Sequence, residues 1–156
     1  MKEGLIVQLD MVREFFRNST SRLEEKDSAF APHEGMLTVA GQVSHTAQSI
    51  DWFMKGGFGS GFDMNFEKHM AESSAVTSLG AAMEWFERSV TNAKAVVETK
   101  SDRELFAPIP EGPVMAGAPR MAVIQGIADH TAHHRGALTV YARALGKIPA
   151  MPYGGE

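Results

Sequence analysis

The 156-residue chain contains no cysteine. That absence removes disulfides, thiolate nucleophiles and sulfur-rich zinc sites together. A metal, if one is held, must sit among imidazole, carboxylate or water. Positive charge is also scarce, with 15 Lys and Arg against 19 Asp and Glu for a net charge of −4. A nucleic-acid binder carries the opposite balance. No run approaches the roughly 18 uninterrupted apolar residues of a membrane helix. The opening MKEGLIVQLDMVREFF carries acids throughout and lacks the apolar centre of a signal peptide, so a cytoplasmic location is the expectation. No segment reads as a convincing strand. Two metal motifs are absent as well. No glutamate has a histidine three residues later, which excludes the Glu-x-x-His pairs of a di-iron bundle. His33-Glu34 is followed by Leu37 where a zincin needs histidine.

What remains is ordinary globular material, 44% hydrophobic and 22% charged, enough for one domain over residues 1–156. Four amphipathic helices are expected. The first runs from Glu3 to Thr20 with Leu5, Leu9, Val12 and Phe16 at helical spacing. The second runs from Pro32 to Lys55, with proline in its first turn and a stripe of Met36, Val39, Val43, Ala47, Ile50 and Met54. The glycine cluster Gly56–Gly61 should stop it and act as a flexible connector. The third covers Glu72 to Lys100, burying Leu79, Met83, Phe86, Val90, Ala93 and Val97. A long connector rich in proline, Ser101 to Ala118, leads to the fourth, Pro119 to Leu145, which Gly146 and Pro149 terminate. The fold class is therefore all-α: a four-helix bundle with long connectors between helices two and three and between three and four.

The chemistry is concentrated in Asp129-His130-Thr131-Ala132-His133-His134-Arg135-Gly136, where three of six histidines fall within five residues. Positions four apart share a helix face, about 6 Å apart along the axis. His130 and His134 can therefore turn two imidazoles toward one ion at about 2.0–2.1 Å. Angular bookkeeping puts His134 inside the arc of Ile124, Ile127, Thr131, Leu138, Ala142 and Leu145, with His130 at its edge. His133 points about 100° away, toward solvent or a neighbouring subunit. The natural candidate for a third ligand is His45. It lies well away from the centre of its helix's apolar stripe, which by itself favours an exposed histidine, but the helix carries no charge between Met36 and Ile50 and so is buried on more than one side, where it can line a cleft. His33 and His69 fall near loops or helix starts and should be solvated. Three histidines with an open position form the ligand set of catalytic metal sites. Gly136, costly inside a helix, should mark close helix packing. Arg135 should pair with an acid such as Asp129 or one across the bundle, or face an anionic substrate. Trp52 and Trp85 are core residues that can also line a cleft.

His-x3-His-Arg-Gly followed by Leu138, Tyr141-Ala142-Arg143, Leu145-Gly146 and Pro149 resembles the DinB-like (YfiT-like) superfamily. The likeness extends upstream to His45 and covers the chain broadly. It implies a metal-binding, dimeric four-helix bundle with His45, His130 and His134 as ligands. It also implies a divalent ion, zinc or nickel, and chemistry such as transfer or isomerisation dependent on a low-molecular-weight thiol, or metal-dependent hydrolysis. A stress-related bundle with a structural metal stays open beside these. The chain departs from the pattern at Ala137, where glutamine commonly follows Arg-Gly, so a hydrogen bond to a ligand is missing there. Homodimerisation is expected from the resemblance and from Ile6, Met11 and Phe15, which give the first helix apolar residues on more than one side. No catalytic residue beyond the metal ligands is identifiable from the sequence.

Overall fold

The computed structural model describes residues 1–154. Its frame is four long α-helices: α1 (Lys2–Thr20), α2 (Val39–Phe58), α4 (Leu79–Thr99) and α6 (Ala122–Ala144). Two shorter ones, α3 (Phe66–Ser74) and α5 (Asp102–Phe106), sit inside the connectors. No strand occurs among the described residues; one isolated bridge joins Pro108 and Pro119. The long helices have 19 to 23 residues, so each spans about 29–35 Å at 1.5 Å per residue. No helix is long and apolar enough to cross a membrane.

Packing does not follow chain order. α1 lies against α4 and α6, and α2 lies against the same two helices. Consecutive α1 and α2 therefore occupy opposite corners, and the chain crosses the end of the bundle between them. Apolar stripes dictate this arrangement. α1 buries Leu5, Leu9, Val12 and Phe16 as their spacing requires, and Phe16 stacks on Phe86 of α4 with centroids 4.2 Å apart.

Helix starts differ from the sequence expectations wherever a hydroxyl cap outranks proline. α2 begins at Val39, seven residues after Pro32, because the Thr38 hydroxyl accepts from the Gly41 amide at 3.0 Å. The Val39 and Ala40 amides donate to the Phe30 and Ser28 carbonyls, so the connector itself satisfies the free amides of the first turn. Met36, expected in the stripe, is exposed. The expected third helix is two helices. α3 ends at Ser74, and α4 restarts at Leu79 with the Ser78 hydroxyl accepting from Ala81. The connector after α4 is partly helical, since Ser101 and Glu104 form a reciprocal capping box that starts α5. α6 begins three residues after Pro119, because the Arg120 and Met121 amides are held by the Ala107 and Leu105 carbonyls. Its end agrees with the sequence. Gly146 has φ +74°, and the Lys147 amide donates to the Ala142 carbonyl at 2.8 Å.

The glycines also sort differently. α2 runs through Gly56 and Gly57, both buried. A side chain at Gly57 would place its first carbon 2.7 Å from Val123, and one at Gly56 would collide with the Phe62 ring. On α6 the close approach is at Gly126, whose added carbon would lie 2.7 Å from Phe53. Gly136, expected there, is exposed and has open space around it.

Candidate metal centre

α2 and α6 pack side by side, and this contact brings together three histidines distant in sequence. His45 comes from α2, and His130 and His134 from consecutive turns of α6. Their ring centroids are 5.2 Å apart for His45 and His130, 4.8 Å for His45 and His134, and 4.4 Å for His130 and His134. Each offers one nitrogen, and all three nitrogens lie within 4.8 Å of one another. The two Nε2 atoms of His130 and His134 are 3.2 Å apart. Two nitrogens about 2.1 Å from a tetrahedral ion are about 3.4 Å apart, so this pair is already at ligand spacing. The Nδ1 of His45 is buried and has no hydrogen-bond partner, a costly state for a polar atom. A cation among these rings would replace the proton that His130 and His134 share. The residues present therefore fit a divalent ion.

Burial holds the three rings neutral. Desolvation, with smaller repulsion from neighbouring imidazoles, lowers His130 to about 4 and His134 to about 3. Desolvation and then His133 lower His45 as well. Neutral imidazoles have free lone pairs, the form a metal requires. His133 is exposed, as its angular position predicts, although its ring meets His134 edge-on at 4.9 Å. His33 is exposed too.

His69 departs from expectation. Its side chain is 13% exposed, and its Nε2 donates to the Asp63 carbonyl at 3.1 Å. The Trp52 indole donates to the same carbonyl at 2.7 Å, so one backbone oxygen ties α2 and α3 together. Between these helices lies a cavity of about 210 Å³. His45 and His130 belong to its wall, Trp52, Phe53, Phe66 and Met70 make it apolar, and Gln48, Ser49 and His69 add polar points. No lysine, arginine or carboxylate lines it. Trp52 thus lies beside the histidines. Trp85 does not; its indole donates to Asp51 at 2.8 Å.

Arg135 is placed elsewhere. Its guanidinium lies 5.6 Å from the ring centres of both Phe15 and Tyr153, which themselves meet edge-on, and these cation–π contacts stand in place of an ion pair with Asp129 or with an acid across the bundle. It lines a separate open cleft of about 1110 Å³ beside the carboxy-terminal segment, together with Arg22, Arg143 and Lys147. This cleft is larger than the histidine cavity but holds no histidine.

Sequence reading misses two residues of the site. Gln42, one turn before His45, accepts from His134 Nδ1 through its Oε1 at 2.6 Å, and Tyr141, two turns after His134, accepts from Gln42 Nε2 at 3.1 Å and donates to the Leu37 carbonyl at 3.0 Å. Both sit at helical spacing from a candidate ligand, the signal that could have found them. Gln42 thus gives His134 a polar partner from α2.

A family model described as the DinB family matches residues 10–156. The crystal structure of a DinB-like protein from Bacillus subtilis superposes with a TM-score of 0.67, at 18% identity, covering 94% of this chain and 95% of that one. At that identity the likeness concerns the fold. No curated protein matches the chain. The family match runs from the second half of α1 through the other three long helices, including both turns that carry the α6 histidines and the turn of α2 that carries His45, and the chain belongs to the DinB family.

Proposed function

We propose that His45, His130 and His134 bind a divalent metal ion, zinc or nickel, with one coordination position left to an exogenous ligand, and that the protein is a thiol S-transferase acting on a small molecule. The observation that carries this reading is the cluster itself. It consists of three neutral imidazoles and no carboxylate among the described residues, beside a cavity able to admit a small molecule. When bound, the ion supplies a Lewis-acid position that lowers the pKa of a ligand. Imidazole ligation suits several ions, so the donor set alone leaves zinc and nickel equivalent.

A thiol is favoured over water because of what the cavity lacks. No carboxylate lines it to serve as a general base. A thiol, with a free pKa near 8.5, needs far less help to ionise than water at about 15.7. The family resemblance points the same way. The aromatic walls exclude water from the reacting groups and orient the uncharged part of the acceptor. We place the protein in the cytoplasm as a homodimer. Val7 and Met11 on α1, 56% and 45% exposed, are apolar residues that a second copy would cover.

Metal analysis of purified protein should give about one ion per chain. A cobalt-substituted sample should develop a sulfur-to-metal charge-transfer band when a low-molecular-weight thiol is added. Turnover of esters or amides without that band would replace transfer with hydrolysis. Absence of metal from freshly purified and zinc-reconstituted protein would end the reading. A monomer by light scattering at micromolar concentration would remove the dimer.

A further inference from the structure

The hydrogen bonds behind His134 have a fixed direction that distances alone do not show. Tyr141 Oη lies 3.0 Å from the Leu37 carbonyl and 3.1 Å from Gln42 Nε2. A carbonyl only accepts, and a tyrosine hydroxyl has one proton, so that proton goes to Leu37. The hydroxyl oxygen must then accept from its other neighbour, which forces Gln42 to turn its amide nitrogen toward Tyr141. Its carbonyl oxygen consequently faces His134 Nδ1 at 2.6 Å, and that nitrogen must carry a proton. The lone pair of His134 is left on Nε2, the atom 3.2 Å from His130 Nε2. Reversing the amide would set the Tyr141 oxygen against Leu37 as acceptor against acceptor. The group is largely sealed from water, with Tyr141 2% and both Gln42 and His134 8% exposed, so solvent does not relieve such a mismatch.

We infer that Gln42 is a positioning residue that fixes the Nδ1–H tautomer and ring orientation of His134, with Tyr141 and the Leu37 carbonyl locking the direction of the relay. Outer hydrogen bonds of this kind orient a metal-ligating histidine and raise its basicity. The relay also couples the site to the entry of α2, because Leu37 immediately precedes the capping Thr38. This inference rests on the proposed metal site for its function, but not for its chemistry, which belongs to the metal-free chain.

The test has two readouts. Long-range proton–nitrogen correlation spectra of histidine-labelled, metal-free protein at neutral pH should show His134 as the Nδ1–H tautomer. Gln42→Met, which keeps the volume but removes the acceptor, should release that tautomer and weaken zinc binding by about 10–100-fold in competition with a chromophoric chelator. Gln42→Glu restores an acceptor and should recover zinc affinity to near that of the unaltered chain. Tyr141→Phe frees the amide to rotate and should shift the same nitrogen resonances; it serves also if Gln42→Met does not fold. An Nε2–H tautomer in the unaltered metal-free chain overturns the inference. So does unchanged zinc affinity in a folded Gln42→Met protein, or a Gln42→Glu protein as weak as Gln42→Met. Failure of the unaltered chain to bind zinc would instead remove the metal reading, while the tautomer spectrum still decides the relay.

Discussion

The α1–α4 seam and the α2–α6 seam use the same kind of helix packing for different ends. Where α1 meets α4, Leu9, Phe16, Phe86 and Val90 are fully buried, and the interior of the contact is apolar, with the Phe16–Phe86 stack at its centre and the Arg17–Glu87 and Lys94–Asp10 ion pairs at its edges. Where α2 meets α6, Gln42, His134 and the Tyr141 hydroxyl are buried with them. Each polar atom of that group except the His45 nitrogen is directed at a partner. The first seam tolerates any shape-matched apolar set, at modest cost. The second needs specific donors and acceptors at specific positions, because an unmet polar group in the interior is expensive. The α1–α4 seam is thus built for packing, whereas the α2–α6 seam also carries the candidate chemistry.

The sharpest way to break this division is a pair of substitutions. Phe16→Ala should cost about 3–5 kcal/mol in urea unfolding while leaving zinc stoichiometry of the folded protein unchanged. His134→Ala should lower zinc affinity by more than about 100-fold, as should His45→Ala and His130→Ala, because each removes a whole donor. His133→Ala should leave it nearly unaltered. Zinc retained by the His134→Ala protein, or lost from Phe16→Ala, would erase the distinction between the seams.

Acid should act on the histidine seam first. Unfolded histidines titrate near 6.5, whereas burial lowers His130 to about 4 and His134 to about 3 in the fold. Between those values the unfolded chain binds more protons, so the stability of the metal-free protein is full above pH 6.5 and falls as the pH drops toward 3. A His134→Gln protein should lose part of that slope between pH 6.5 and 5, and Phe16→Ala should keep it. Free imidazole would suggest that metal affinity weakens between pH 7 and 5; the lowered values move the steep proton competition at His130 and His134 below pH 5. Equal slopes for all three proteins would show that the rings are not held neutral by the fold.

A smaller contrast lies along α6 itself. Gly126→Ala places a carbon 2.7 Å from the Phe53 ring and should destabilise the protein by about 1–2 kcal/mol. Gly136→Ala meets nothing within 4 Å and should stabilise it by about 0.5–1 kcal/mol through reduced backbone freedom. Matching signs in thermal melts would show that the two positions are not distinguished by packing.

The four long helices were legible because a 3.6-residue period of apolar residues has one physical reading. Their starts were not, since Pro32 and Pro119 satisfy a local preference that Thr38 and the Leu105 and Ala107 carbonyls override. Proline only tolerates a first turn; a capping hydroxyl or a connector carbonyl satisfies an amide that would otherwise go unpaired. His130 and His134 could be paired from spacing alone, and His45 could be nominated from the uncharged face of its helix. His69 could not be placed, and Gln42, although one turn from His45, could not be assigned to His134. The first depends on how α3 folds back on α2, and the second on which helix α6 meets.

From the residues alone came an all-helical chain without sulfur chemistry, an i, i+4 histidine pair on an inward face, and the DinB-like motif around it. These are properties of periodicity and composition, which local sequence dictates. The tertiary structure decided which helices are neighbours, and with that the rest of the site. Only the contact of α2 with α6 sets His45 against His130 and His134 and brings Gln42 behind His134. Such pairings join residues roughly 90 positions apart, whose approach no local preference encodes and only the burial of the shared core enforces.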